Sequence, residues 1–318
     1  MKTMTAFAVV GLAVLTLALT AAAGEDNSNV GTRAFNFLKI EVAARPVAMG
    51  GAFTGIADDE ASMYYNPAGM ASFEDKRFIF GYHNNIFDMQ SGFVGYIHPL
   101  DYRGDKALAV YLDYLNYGDF IRTDNLGNEE GTFSGSDILF AAGYAMKLNE
   151  FLQLGGMVKI IYEKIDVYSS HGFAVDLGAR YTLYDERTTF GLMVQNLGAQ
   201  LSGFTDEAEK DPLPLRLRAG VSHLPRGLPA RLAVDAIVPT DNDIYVAIGA
   251  EIVELKPLFL RVGWTSFGSN FKTGASSDDI GGFSAGFGVE YNRFQISYAI
   301  SPQADLGTSH RVTLSGGF

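Results

Sequence analysis

Long runs with a period of two dominate this chain. In residues 293–300, Phe294, Ile296, Tyr298 and Ile300 alternate with Arg293, Gln295, Ser297 and Ala299. Residues 213–221 put Leu213, Leu215, Leu217, Ala219 and Val221 on one face, with Arg216, Arg218 and Gly220 on the other. In residues 172–181, Phe173, Val175, Leu177 and Tyr181 oppose Asp176, Gly178 and Arg180. The runs at 243–252 and 281–291 repeat the pattern, with Gly249, Glu251, Gly286 and Glu290 as small or charged partners. Successive side chains of a strand point to opposite sides, so each run is a strand with one apolar and one polar or small face. A β-sandwich shows the same period, but its strands run about 5–6 residues. These runs reach about 10–12, the length a tilted strand needs to cross a bilayer. The pattern predicts an all-β fold, a single closed transmembrane antiparallel β-barrel.

Runs bounded by turn signals number about fourteen, an even count as bacterial single-chain barrels have. They lie near 76–87, 91–100, 106–121, 134–148, 152–168, 171–183, 188–204, 213–224, 230–240, 243–255, 258–268, 281–291, 293–302 and 308–318. Tight connections at Asn149-Glu150, 185–187, Lys256-Pro257 and Asn292-Arg293 alternate with longer ones at 122–133, 205–212 and 269–280. In bacterial barrels short turns face the periplasm and long loops face outside, so this parity predicts that both termini are periplasmic. Val312, Leu314 and Phe318 share one face of the last run. A terminal aromatic there resembles the assembly signal of outer-membrane barrels, so Phe318 is expected to engage the barrel assembly machinery.

Met1 to Ala23 reads as a cleavable secretory signal, with Lys2, an apolar run from Ala6 to Leu19, and Ala21 and Ala23 ahead of a cut before Gly24. Removing Lys2 with the signal takes one positive charge from the formal net of −12, leaving −13. Acidity on this scale argues against a nucleic-acid partner. The chain has no Cys, so disulfides, thiolate metal sites and Cys-linked lipid are excluded. After the signal, no stretch nears the ~20 apolar residues of a spanning helix. No linker divides the remainder, which is expected to comprise a compact non-strand segment at 24–75 and a barrel at 76–318.

Residues 50–72, GGAFTGIADDEASMYYNPAGMAS, fit no strand. Asp58 and Asp59 are placed to cap a short helix, with Glu60 in its first turn. Asn66 and Pro67 would stop that helix, Gly69 would take a left-handed turn, and Tyr64 and Tyr65 would pack against a wall. The longer stretch 44–71, ARPVAMGGAFTGIADDEASMYYNPAGMA, resembles the N-terminal signature of the PorV/PorQ family, within the wider FadL-type (long-chain fatty acid transporter) outer-membrane barrels. Residues 194–204 and 213–223 resemble that family's Asn-Leu-Gly strand and Leu-Pro loop exit. The resemblance implies fourteen strands, an outer-membrane location among its lipids, and residues 24–75 folded into the lumen as a plug. It also implies a non-enzymatic accessory in protein secretion or surface attachment, with secretion components or cargo proteins as partners. The alternative it implies is FadL-like uptake of hydrophobic small molecules through a gap in the barrel wall. Asn196 and Gly198, in QNLGAQ, are the expected site of a strand kink or lateral opening, since a glycine inside a strand often marks a bulge.

Other motifs carry no chemistry. GFSAG at 282–286, followed by Asp305 and His310, matches a nucleophile-elbow pattern, but the alternation runs straight through Ser284 and leaves no elbow. The five His residues lack zinc-site spacing, and the acidic stretches 205–211 and 276–282 read as solvated loops. No catalytic constellation, metal or cofactor is expected. The lumen charges Lys159, Glu163, Asp176, Arg180, Arg216, Arg218, Arg261 and Arg293 are expected to pair mostly across neighbouring strands.

Overall fold

The computed structural model describes residues 29–205, 209–271 and 279–318, so the signal and its cut site lie outside the described residues. Fourteen antiparallel strands close into one barrel, each paired with its sequence neighbours and β1 with β14. They are β1 Arg77–Asn84, β2 Gln90–Pro99, β3 Lys106–Thr123, β4 Glu129–Lys147, β5 Leu152–Ile165, β6 Tyr168–Thr182, β7 Thr188–Ser202, β8 Arg216–His223, β9 Ala230–Pro239, β10 Tyr245–Ile252, β11 Leu258–Thr265, β12 Phe283–Tyr291, β13 Phe294–Pro302 and β14 Thr308–Gly317. The apolar phase of each strand faces out, as in Leu217, Phe294 and Ile296, which are exposed on the outer wall. The opposite phase faces a packed lumen. No helix among the described residues is long and apolar enough to cross a membrane.

Leu213 corrects the predicted lipid face. It shares a sequence phase with Leu217, yet it precedes β8 and is 4% exposed within the lumen core. Pro214 lacks an N–H, and the Leu215 N–H turns back to the Leu213 carbonyl, so the ladder begins only at Arg216. The loop expected at 122–133 is likewise mostly strand. β3 and β4 continue past a bulge to a turn at 124–128. Phe120 stacks on Phe133 at 5.3 Å, and Arg122 reaches Asp166 of the next hairpin at 2.5 Å. β3 to β7 therefore stand taller than the strands of the other side.

The barrel has two mouths. At the near mouth β1 begins and β14 ends beside Phe318. The far mouth carries the turns 85–89, 124–128, 166–167, 240–244 and 303–307. Parity places both strand ends at one mouth, but the N-terminal segment departs from it. The Ala34 N–H donates to Pro212 O, Arg33 donates to Thr240 O at 3.0 Å, and Lys39 pairs with Asp241 at 2.6 Å, all at the far mouth. From there residues 40–76 run down the lumen to β1. Arg33 and Phe318 thus lie at opposite mouths, while the expected start of the mature chain at Gly24 lies outside the described residues.

Candidate functional site

The lumen is filled by the segment around residues 42–73, and glycines let it fit. Wall glycines at 81, 155, 178, 191, 220, 249 and 263 all face the lumen, where the plug backbone or a plug side chain takes the space a Cβ would need. At Gly249 that Cβ would stand 2.6 Å from Met49 O. At Gly155, Gly191, Gly249 and Gly263 plug backbone lies directly on wall backbone. Wall polar groups then satisfy the plug's own backbone, which buried N–H and C=O groups require. Asp235 Oδ2 accepts from Phe53 N at 3.1 Å and Thr54 N at 2.9 Å. Gln195 donates to Tyr64 O, Arg218 to Gly51 O, and Gln153 to Ala71 O.

Ion pairs bind the plug at the near mouth. Arg45, on the short helix Ala44–Ala48, reaches Glu251 at 2.7 Å, Asp58 at 2.7 Å and Asp59 at 3.0 Å. Arg231 also holds Asp58, Arg261 holds Glu251 at 2.7 Å, and Arg77 holds Glu60 at 2.6 Å. Burial works to raise the Asp58 carboxyl, but Arg231, Arg45 and Arg180 hold it well below the ordinary carboxylate range. For Asp59 and Glu60 burial wins and pushes both carboxyls up.

These contacts rewrite the expected helix cap. The helix is Ser62–Tyr65, its N-cap is Ala61, and no side chain caps it. The Asp58 side chain is drawn to arginines instead, while Asp59 Oδ1 accepts the Ala61 N–H before the helix starts. Arginine partners outcompete a neutral N–H because an opposite full charge adds coulombic attraction to the hydrogen bond. Asn66 is the residue that caps, accepting from Ala68 N at 3.2 Å at the start of the 3₁₀ turn Pro67–Met70. Its amide also donates to Thr54 O and to Ala179 O of the wall. Gly69 sits inside that turn without a left-handed φ, and is required because a Cβ would collide with Ala57 O. Tyr64 and Tyr65 are buried edge to face at 5.0 Å. The Tyr64 hydroxyl donates to Leu38 and Ile40 carbonyls, and burial pushes its phenol up to about 12. The lumen charges pair in part as expected: Lys159 with Asp176, Arg261 with Glu251 and Arg218 with Asp235 join neighbouring strands. Arg180 instead donates to Gln153, Arg216 to the plug's Leu38 carbonyl, and Arg293 reaches Asp75.

Above the plug, at the far mouth, lies a cavity of about 340 Å³. Ile40, Val47, Tyr245 and Phe267 give it apolar surface, and Arg216, Arg311, Glu41 and Asp241 give it charge. Arg216 Nε and Asp241 Oδ1 are buried with no hydrogen-bond partner among the described residues.

The β7–β8 ladder, whose last pair includes the cavity residue Arg216, is incomplete. β7 pairs with β8 only as far as Gln195↔Arg216, yet it continues to Ser202, paired among the described residues with β6 alone. The β6–β7 register shifts between Val175 and Leu177, and Asn196 takes φ +63° there, so the bulge lies at Asn196. Gly198 is two residues on and stays in register opposite Ala174, so of the two expected kink residues Asn196 is the one that bulges. The Asn196 backbone N–H donates to Asp176, its side-chain Oδ1 accepts from Lys159, and its side-chain Nδ2 donates to Pro214 O. Gln200 accepts the Asp211 N–H. Side chains alone therefore tie the stretch 211–214 to the free edge of β7. Phe35 packs its ring against Gly172 just behind this break, held at φ +55°, a conformation rare for an aromatic residue. Phe318 follows β14 at the near mouth, 61% exposed, stacked 6.3 Å from Tyr96, with its N–H on Lys76 O.

No family model and no curated protein sequence matches this chain. Solved structures do. A TodX deltaS2S3 mutant, a monoaromatic hydrocarbon channel, has a TM-score of 0.61 at 16% identity, covering 87% of this chain and 99% of its own. The Pseudomonas putida toluene transporter TodX has a TM-score of 0.59 at 15% identity, covering 86% and 96%. A Pseudomonas aeruginosa FadL homologue has a TM-score of 0.55 at 12% identity, covering 86% and 97%. At these identities the likeness is one of fold, and this chain has the fold of the FadL-type outer-membrane channels.

Proposed function

We propose that this protein is an outer-membrane channel for hydrophobic or amphipathic small molecules, which enter the far-mouth cavity and leave sideways through the wall between β7 and β8. The observation that carries the reading is the edge of β7 from Asn196 to Ser202, which β8 leaves unpaired just past Arg216, a residue that also lines the cavity. An axial route would have to pass backbone packed on backbone; the lateral route has only side-chain ties to break. The names of similar structures, hydrocarbon channels and a toluene transporter, support the same class of cargo. The wall break favours uptake over the secretion role that the resemblance at 44–71 puts first. In this reading the near mouth faces the periplasm, Phe318 serves assembly, and no chemistry is performed.

The test is uptake of a labelled monoaromatic and a labelled fatty acid by liposomes holding the purified barrel. Asn196→Ala with Gln200→Ala should raise uptake several-fold without raising ion conductance. Absent uptake of both probes, or conductance rising in step with uptake, overturns the lateral route. A PorV/PorQ-type secretion accessory is the second reading, favoured by the plug-filled lumen and the signature at 44–71. It predicts that gene deletion strips particular proteins from the cell surface while uptake of both probes is unchanged.

A further inference from the structure

The outer wall carries a second cavity unrelated to the lumen. Across β9 to β13 a dish of about 660 Å³ opens outward. Leu232, Ile248, Trp264 and Phe283 form its rim, and the smaller outward side chains of Ala250, Val262 and Ala285, side by side in the ladder, form its floor. Its size falls within the roughly 300–1,000 Å³ of ligand pockets. The one hydroxyl near it, on Ser284, points inward and accepts the Gly50 N–H at 3.1 Å. Behind the floor the inner faces of Gly249 and Gly263 carry Met49 and Gly50 of the plug, so the wall there is one peptide thick.

We infer that this dish is a binding site for one acyl chain of a membrane lipid. The surface lies on the apolar outer wall of the barrel, where hydrocarbon is the solvent. It offers no outward donor or acceptor, so a headgroup, a polar ligand or a peptide backbone gains nothing in it, whereas a saturated or singly unsaturated chain fills it by dispersion contacts alone. Small floor and large rim distinguish it from a uniformly convex wall, which lipid covers without preference. A chain seated there touches the peptides on which the plug rests, placing a membrane component within one backbone of Met49. The inference stands independently of the channel reading.

Trp264 is the only tryptophan in the chain, which gives a direct readout. The barrel is reconstituted in vesicles of phosphatidylethanolamine with increasing fractions of a phospholipid brominated on its acyl chains. Trp264 fluorescence should be quenched to half its final extent at a brominated fraction several-fold below that seen for a reporter on plain wall, Trp264→Phe combined with Leu112→Trp on β3. Ala250→Leu with Ala285→Leu fills the floor and should return Trp264 to the plain-wall curve, while heat-modifiable mobility shows that the barrel still folds. Identical curves for the two reporters overturn the site. So does a Trp264 shielded from bromine in barrels that cross-link as dimers, since a second copy would then occupy the dish.

Discussion

Gly249 of β10 faces the carbonyl of Met49 so closely that any side chain at 249 would stand 2.6 Å from that oxygen. A substitution here tests the seal. Gly249→Val should cost about 1–3 kcal/mol by overpacking, and because the barrel ladder is untouched the loss should fall on the plug. Limited proteolysis should then cut within residues 42–73 while the heat-modifiable barrel band persists. A plug as protected as in the parent chain would show that the wall yields instead.

Arg45 joins three carboxylates to the plug, and its side chain is 13% exposed. Arg45→Ala leaves Asp58 with Arg231 and Glu251 with Arg261, but removes the cation common to both pairs. Hydrogen bonds to charged groups contribute about 1.5–3 kcal/mol each when buried; partial solvation here argues for the lower part of that range. Urea titration followed by plug protection should show the loss.

Two opposite pH limbs follow from neighbouring carboxyls. Asp58 has its pKa lowered in the fold, so its stabilisation is complete above its ordinary value of 3.8 and is lost as pH falls below that. Glu60 and Asp59 have raised pKa values, so they favour the fold at acid pH and give that up as pH rises above their ordinary 4.5 and 3.8. Plug protection should therefore peak in mildly acidic buffer and fall on both sides. Asp58→Asn should erase the acid limb only, and a profile still falling below pH 3.8 in that variant would assign the limb elsewhere.

Leu217 and Leu213 separate lipid contact from core packing. Leu217→Arg, on the outer wall, should destabilise folding by roughly 2–4 kcal/mol at the bilayer centre. Leu213→Ala should cost about 2–5 kcal/mol through a cavity in the lumen core, whereas Leu217→Ala should be mild. Equal effects of the two alanine changes, by folding titration into vesicles, would place both residues in one environment.

Strands were legible because the pattern that buries one face and exposes the other repeats at every second residue from Arg77 to Gly317. What escaped is whatever depends on distant partners. Asp58 meets Arg45 thirteen residues away and Arg231 on β9, and no spacing rule encodes either. Asn196, not Gly198, bulges because Asp176 and Lys159 supply its partners from the adjoining strands. Leu213 kept the alternating phase while Pro214 ended the ladder, so periodicity pointed to the wrong face. One clue was present and unread: the small phase of many strands holds a lumen-facing glycine, at 155, 178, 191, 220, 249 and 263, and together these outline a seat for another backbone.

Because the N-terminal segment begins at the far mouth, crosses the lumen and joins β1 at the near one, the polypeptide is threaded through a ring made of itself. Were the ring closed first, the thread would have to pass end-on through the empty lumen before packing against the wall, a step that closing the seam last avoids. In that simpler order the β1–β14 seam, with its register from Arg77↔Gly317 to Asn84↔His310, zips around a segment already in place. The plug then acts as the mandrel on which the cylinder is wound, and weakening its grip on the wall should slow seam closure before it loosens the finished barrel.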